Sequence, residues 1–203
     1  MSEQSFIDNL RFSKGINADN DVQTITKMLH GCVNCVPSSD VNMDRYGVDY
    51  VATLRGGAQV FIDAKTRRES CRRYWLYGEE VPVEIWSVMP GGRYNTPECR
   101  SKVGWTLDES KITDLILFTW NKADCEFAYL LCFQTLRIAA ARYLNYWANI
   151  FGVKVQNSGR WESQSIFVPI QNVLDAMRDV QKMAAQISFF GGTPHGTQPI
   201  PTA

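Results

Sequence analysis

Residues 47–67 read GVDYVATLRGGAQVFIDAKTR, and the fold turns on this stretch. YVATL and QVFIDA are rich in β-branched and aromatic residues, which suit a pleated, half-buried surface. Gly56-Gly57 stands between them, and glycine supplies the backbone conformations that a tight hairpin turn needs. The segment is therefore expected to be a β-hairpin. Side chains two apart on a strand share a face, so Asp63 and Lys65 project together. Asp49 and Asp63 both lie far from the turn, and a tight hairpin brings them into one neighbourhood. An acid in an apolar run such as VFIDAK is costly unless it is paired or metal-bound, which makes Asp63 more informative than an acid in a loop.

Working outward, ADNDVQTITKMLHGC upstream reads as a helix, with Val22, Ile25, Met28 and Leu29 on one face. Asp19 to Asp21 suit its N-terminus, and Gly31 can end it. VPSSDVNMDRYG follows as an expected loop. Downstream, the basic loop TRRESCRRYWLYGEE leads to a strand, VPVEIWSV, which carries Glu84. MPGGRYNTPECRSK reads as irregular. ITDLILFTW and EFAYLLCF are apolar runs fit for buried strands, with NKADC turning between them. TLRIAAARYLNYWANIF is an expected helix, SIFVPI a short strand, and VLDAMRDVQKMAAQI a second amphipathic helix. On that last helix Val173, Leu174, Met177, Val180, Met183 and Ile187 share one side. This order predicts an α/β fold, a central mixed β-sheet flanked by helices. The first helix covers one face; the extra C-terminal helices cover the other or add a dimer surface. Residues 1–190 are expected to form a single domain, and the Gly/Pro-rich residues 191–203 a flexible tail.

A chain of 203 residues falls within the range of one domain. With 45% hydrophobic and 21% charged residues, wholesale disorder is excluded. Lys+Arg 21 against Asp+Glu 21 gives no net charge, which excludes a histone-like basic coat but not a local basic patch. The opening MSEQSFIDNLRFSKG has no basic stretch followed by an apolar one, so no secretory signal is expected. The longest apolar region carries Arg137 and Arg142 and is no membrane span. A cytoplasmic protein with reduced cysteines is expected.

The grouping of Asp49, Asp63 and Lys65 suits phosphodiester hydrolysis. That reaction needs a hard cation to neutralise charge on the phosphoryl oxygens. Mg²⁺ (or Mn²⁺) takes oxygen ligands and keeps several waters, so two carboxylates and a backbone carbonyl suffice, and Ala64 offers the carbonyl. A lysine beside the metal can orient the attacking water and lower its pKa. Lys65, Arg67, Arg68, Arg72 and Arg73 form the densest basic run, followed at once by Tyr74, Trp75 and Tyr77. Cations bind phosphates and exposed aromatics stack on unpaired bases, so beside such a centre the run reads as a DNA-gripping loop. Without one it reads as a solvated loop whose aromatics pack inward.

An acid near the start of one strand, D-x-K near the end of its partner and an amphipathic helix upstream together resemble the PD-(D/E)XK nuclease superfamily. The layout of residues 47–67 is similar to the core of archaeal Holliday-junction resolvases and of many phage and restriction nucleases. Asp63-Ala64-Lys65 matches the family's (D/E)-x-K, whereas Val48 stands where a proline usually precedes the first acid. Gly104-Trp105 with Thr113 to Phe118 is similar to phage-type members. The resemblance covers roughly residues 15–90, with the later stretch extending it toward 135; the C-terminal helices lie outside it. It implies a restriction-endonuclease-like core and a Mg²⁺-dependent nuclease acting on DNA, in a bacterial or phage-infected cell. Asp49, Asp63, Ala64 and Glu84 would hold metal, Lys65 would position the water, and Arg67, Arg68, Arg72 and Arg73 would bind DNA. Members often add an acid from the first helix, for which Asp19 and Asp21 are the candidates. Two other readings stay open: an inactive binding protein on the same fold, such as a phage-encoded inhibitor of host defence, and a structural or assembly protein.

Other motifs carry less. Cys32 and Cys35 form a C-x-x-C, but a zinc site needs two more ligands, and neither a second C-x-x-C nor an H-x-x-x-H is present. Buried or half-buried thiols are expected there. His30 and His195 are far apart, which disfavours a Ser-His-Asp hydrolase, and no GxxxxGK[ST] loop appears.

Overall fold

In the computed structural model, residues 18–67, 79–91, 101–122, 125–157 and 162–190 are described. The hairpin at its centre forms as the glycine pair requires. The Gly57 N–H donates to the Leu54 carbonyl at 3.0 Å and the Leu54 N–H to the Ala58 carbonyl at 2.8 Å. Gly56 and Gly57 take φ of 97° and 86°, where a side chain would be strained. Strand β2 (Tyr50–Leu54) pairs antiparallel with β3 (Gln59–Arg67), Tyr50 opposite Ile62 and Ala52 opposite Val60. The Asp49 N–H donates to the Ile62 carbonyl at 2.9 Å, carrying the pairing one residue past β2.

Around this hairpin stands a five-stranded mixed sheet in the order β1–β2–β3–β6–β7, with β1 Cys32–Pro37, β6 Leu115–Lys122 and β7 Cys125–Cys132. In it β3 and β6 run parallel, and the other neighbours are antiparallel. Asp114 locks the parallel pair. Its Oδ2 accepts from the Phe61 N–H at 2.8 Å, while its own N–H donates to the Phe61 carbonyl at 2.9 Å.

Strand alternation then sorts the side chains. Ile62, with Val60 and Ala64 beside it, faces one way and packs with Tyr50, Ala52, Leu117 and Ile25. Ile25 comes from helix α1 (residues 18–28), which covers this face as its amphipathic pattern demands. Asp63 and Lys65 point the other way, in register with Ile116 and Phe118.

That second face belongs to the larger core. It is filled by Ile116, Phe118 and Trp120 of β6, by Leu136, Ala139, Ala140 and Trp147 of helix α3 (Phe133–Phe151), and by Val173, Met177 and Val180 of helix α4 (Ile170–Phe190). The C-terminal helices therefore cover the face opposite α1. No described helix is long and apolar enough to cross a membrane.

The structure departs from the expected single sheet. A second, antiparallel sheet runs β5 (Lys102–Val103), β4 (Glu80–Val88), β9 (Glu162–Pro169), β8 (Val153–Asn157). VPVEIWSV and SIFVPI are strands as expected, but they pair with each other, and Val81, Val83, Ile166 and Val168 join the larger core. VKVQN, a strand without an apolar run, is an edge strand with every residue exposed, so no burial pattern marks it. Within the expected loop VPSSDVNMDRYG, Val36 and Pro37 end β1, and residues Val41–Arg45 form a one-turn helix, α2. A proline is tolerated there because β1 is an edge strand. Arg68, Arg72, Arg73, the aromatics after them and residues 191–203 lie outside the described residues; Arg67 ends β3.

Gly104 lies just past β5, where the chain leaves the second sheet and heads toward β6. A Cβ built on it would lie 2.0 Å from the Glu84 carbonyl oxygen, and its N–H donates to the Ile85 carbonyl at 2.8 Å. The obstruction is backbone and cannot swing aside. Gly104→Ala is thus expected to cost about 1–3 kcal/mol through overpacking, read as a lower urea midpoint; a midpoint equal to that of the unaltered chain would show that this approach can relax freely.

Candidate active site

Asp49 stands just before the first residue of β2, at the open end of the hairpin, where the edge of β3 would otherwise be open. Its Oδ2 accepts from the Ala64 N–H at 2.9 Å, so the carboxylate continues the ladder in place of a backbone carbonyl. The N–H and C=O of one strand residue point to the same side. The Ala64 carbonyl is therefore on the Asp49 side of β3, away from β6.

Asp63, opposite, is only 5% exposed. Its Oδ1 accepts from Lys65 Nζ at 2.6 Å, and its carboxyl is also in hydrogen-bonding contact with that of Asp49. The hairpin thus delivers the three groups expected of it to one place. Burial pushes the Asp63 carboxyl up to about 7; Lys65 pulls against the rise, and the neighbouring Asp49 adds to it. For Lys65, burial favours the neutral amine, but the charges of Asp63, Asp49 and Glu84 more than offset it and the pKa is raised. The lysine therefore stays charged at neutral pH. Its Nζ also lies 5.5 Å from the centre of the Trp105 ring, within reach of a cation–π contact.

Glu84 approaches from the second sheet. Its Oε2 accepts from Ser87 Oγ at 2.6 Å and from the Trp105 N–H at 3.1 Å. Glu84 and Lys65 line one cleft of about 350 Å³, together with Trp105, Gln156 and Ser165. Sequence reasoning does not single out Gln156 or Ser165. A serine heading the apolar run SIFVPI is the one available signal, since Ser165 is buried. Gln156 sits on an exposed edge strand and gives none.

The first-helix acids stand elsewhere. Asp19 is exposed, and Asp21, 5% exposed, accepts from the Tyr50 hydroxyl at 2.9 Å. Tyr50 belongs to the α1 side of the sheet, opposite the face of Asp63, so Asp21 braces the hairpin from behind. Burial first, then Asp21 and Asp49, hold the Tyr50 hydroxyl far above its ordinary range. Cys32 and Cys35 lie on β1 and pack against the smaller core; burial, with Cys32 and Asp21 nearby, pushes the Cys35 thiol up to about 11, a poor nucleophile.

The donor set fits a hard divalent cation. Two adjacent carboxylates and one carbonyl are oxygen ligands, and a cation keeping its own waters needs no more protein groups. Two acids sharing a buried site with one lysine also leave negative charge for such an ion to balance. Among the described residues, no group of three or more His, Cys, Asp and Glu stands together as a metal cluster.

The raised pKa has a consequence for stability. Between the ordinary 3.8 and about 7, the folded chain keeps a proton on Asp63 that the unfolded chain releases. The cost of burying this charge is therefore absent at low pH, grows as pH rises, and is complete above about 7. In metal-free buffer, the urea midpoint of the unaltered chain is expected to fall more between about pH 5 and pH 8 than that of Asp63→Asn, which carries no charge at either pH. Parallel profiles would contradict it.

No known protein-family model, no curated protein and no solved structure matches this chain.

Proposed function

We propose that this protein is a Mg²⁺-dependent nuclease that hydrolyses DNA phosphodiester bonds. The observation that carries the reading is the meeting of Asp49 and Asp63 with Lys65, whose Nζ is 2.6 Å from Asp63 Oδ1 on the inner face of one strand. A structural ion pair has no need of a second acid, since adjacent carboxylates repel unless something positive joins them.

In this reading Asp49, Asp63 and the Ala64 carbonyl hold the metal. Mg²⁺ or Mn²⁺ would supply charge neutralisation at the phosphoryl oxygens. Lys65, kept charged by the acids around it, orients the attacking water and steadies the charge that builds on the phosphate. The Ala64 N–H fixes the Asp49 carboxylate, so this ligand is set before substrate arrives. Glu84, held by Ser87 and Trp105, is a supporting acid that acts on Lys65 across the cleft. The basic run begins at Arg67, the last residue of β3, and continues through Arg68, Arg72 and Arg73, which puts its phosphate-binding role next to the acids in sequence. The layout behind the resemblance to PD-(D/E)XK nucleases, a helix ahead of a hairpin with acids at its open end, supports a restriction-endonuclease-like core. For a dimer through the C-terminal helices, the support is an exposed stripe of Ile138, Tyr146 and Ile150 on α3.

The direct test is cleavage of labelled DNA with and without Mg²⁺ or Mn²⁺. Asp63→Asn and Lys65→Met are each expected to lower the rate by about 100-fold or more, with far-UV circular dichroism unchanged; full activity in both would remove the mechanism. Replacing Arg67, Arg68, Arg72 and Arg73 with Ala should flatten the log–log salt dependence of DNA affinity by about 0.7–0.9 for each phosphate that the run neutralises. An unchanged slope would show that the run does not touch phosphate.

A further inference from the structure

The cleft beside Lys65 bears on which DNA the site takes. We propose that it is a single-nucleotide pocket and that the protein selects unpaired strands; the inference rests on the nuclease reading above. Two independent observations carry it.

The first is size. A space of about 350 Å³ is at the lower end for pockets that enclose a ligand. It equals a cube roughly 7 Å on a side, whereas a duplex is wider than its own major groove of about 12 Å. One nucleoside can enter such a space and a base pair cannot.

The second is depth. Asp63 is 5% exposed and Asp49 beside it half-buried, so the inner acid of the pair is recessed below the surface. The phosphates of a duplex lie on its outside, and a stiff double strand laid across the entrance leaves them with the surface groups. A splayed single strand can bend a phosphate down to Lys65. Because Lys65 itself lines the cleft, a phosphate held there has an adjoining nucleoside beside or within it.

The chemistry of the lining fits a base edge rather than an aliphatic ligand. Gln156 carries both amide donors and an acceptor, and Ser165 carries a hydroxyl that donates or accepts. These are the groups that read the exposed edges of an unpaired base. Trp105 is not free to act as a stacking platform: Lys65 Nζ stands over its ring, and Phe133 stacks on it at 6.2 Å. Hydrogen bonding, not stacking, therefore holds the base in this pocket.

The edge-strand position of Gln156 makes the test clean. It is exposed on β8, so Gln156→Trp fills the cleft without disturbing either core. Fluorescence anisotropy in EDTA would compare a short labelled single strand with the same sequence as a blunt duplex, for the unaltered chain and for Gln156→Trp, while cleavage of both forms is followed separately in Mg²⁺. The single strand is expected to bind at least about tenfold more tightly than the duplex, equivalent to about 1.4 kcal/mol, and Gln156→Trp to abolish the difference. Equal affinity for the two forms, or a preference that survives Gln156→Trp, overturns the pocket. Absence of cleavage with any DNA would overturn the nuclease reading instead, and the binding comparison would still decide the pocket.

Discussion

Everything in this structure arranges itself around a carboxylate placed where water scarcely reaches. Asp63 is on the inner face of β3, and burial raises its pKa toward neutrality. A charged acid there is costly, so the same strand supplies Lys65, whose charge pulls against the rise, while Asp49 beside the neighbouring strand adds to it. Lys65, half-buried, is in turn kept charged by Glu84 together with the two aspartates, and its Nζ lies over the Trp105 ring. Each group answers the electrostatic demand of the one before it, and the chain of demands runs from the first sheet into the second.

The second sheet gives this pair its setting. Had β3 ended in an open edge, the acids would lie in bulk water with ordinary pKa values. Instead β4 brings Glu84, the turn after β5 brings Trp105, and β8 and β9 complete a walled cleft. Gly104 is the joint that permits this, because only a residue without a side chain lets its backbone come so near the Glu84 carbonyl. Behind the sheet, Asp21 and Tyr50 hold the hairpin in register from the α1 side.

The parts legible from sequence are those in which local pattern and tertiary role coincide. YVATL-RGGA-QVFIDAK announces a hairpin because its β-branched residues, glycines and alternation agree, and the structure forms it, with Tyr50 opposite Ile62. The helices α1, α3 and α4 are equally plain from their apolar stripes. The second sheet is not legible, since strand pairing between β4 and β9 leaves no mark in either sequence. Asp21 looks like a candidate ligand because sequence spacing cannot tell the two faces of a sheet apart; its bond to Tyr50 puts it on the far one. At the site, Asp49, Asp63 and Lys65 can be read from alternation within one hairpin, whereas Gln156 and Ser165 depend on contacts between distant segments.

That contrast carries over into how the molecule comes together. The hairpin bearing the acids closes a loop of a few residues, which is entropically cheap and fast. The pairing of β4 with β9 joins segments separated by the β6–β7 hairpin and the whole of α3, and the Ile170 N–H seals it against the Glu79 carbonyl at 2.9 Å. Closing so long a loop is slow, and it rewards the chain only when the last strand arrives. The acid pair is thus a local and early feature of the folding chain, and the cleft a late one: a nascent chain that has not yet made β9 holds the charged groups without the walls that give them their chemistry.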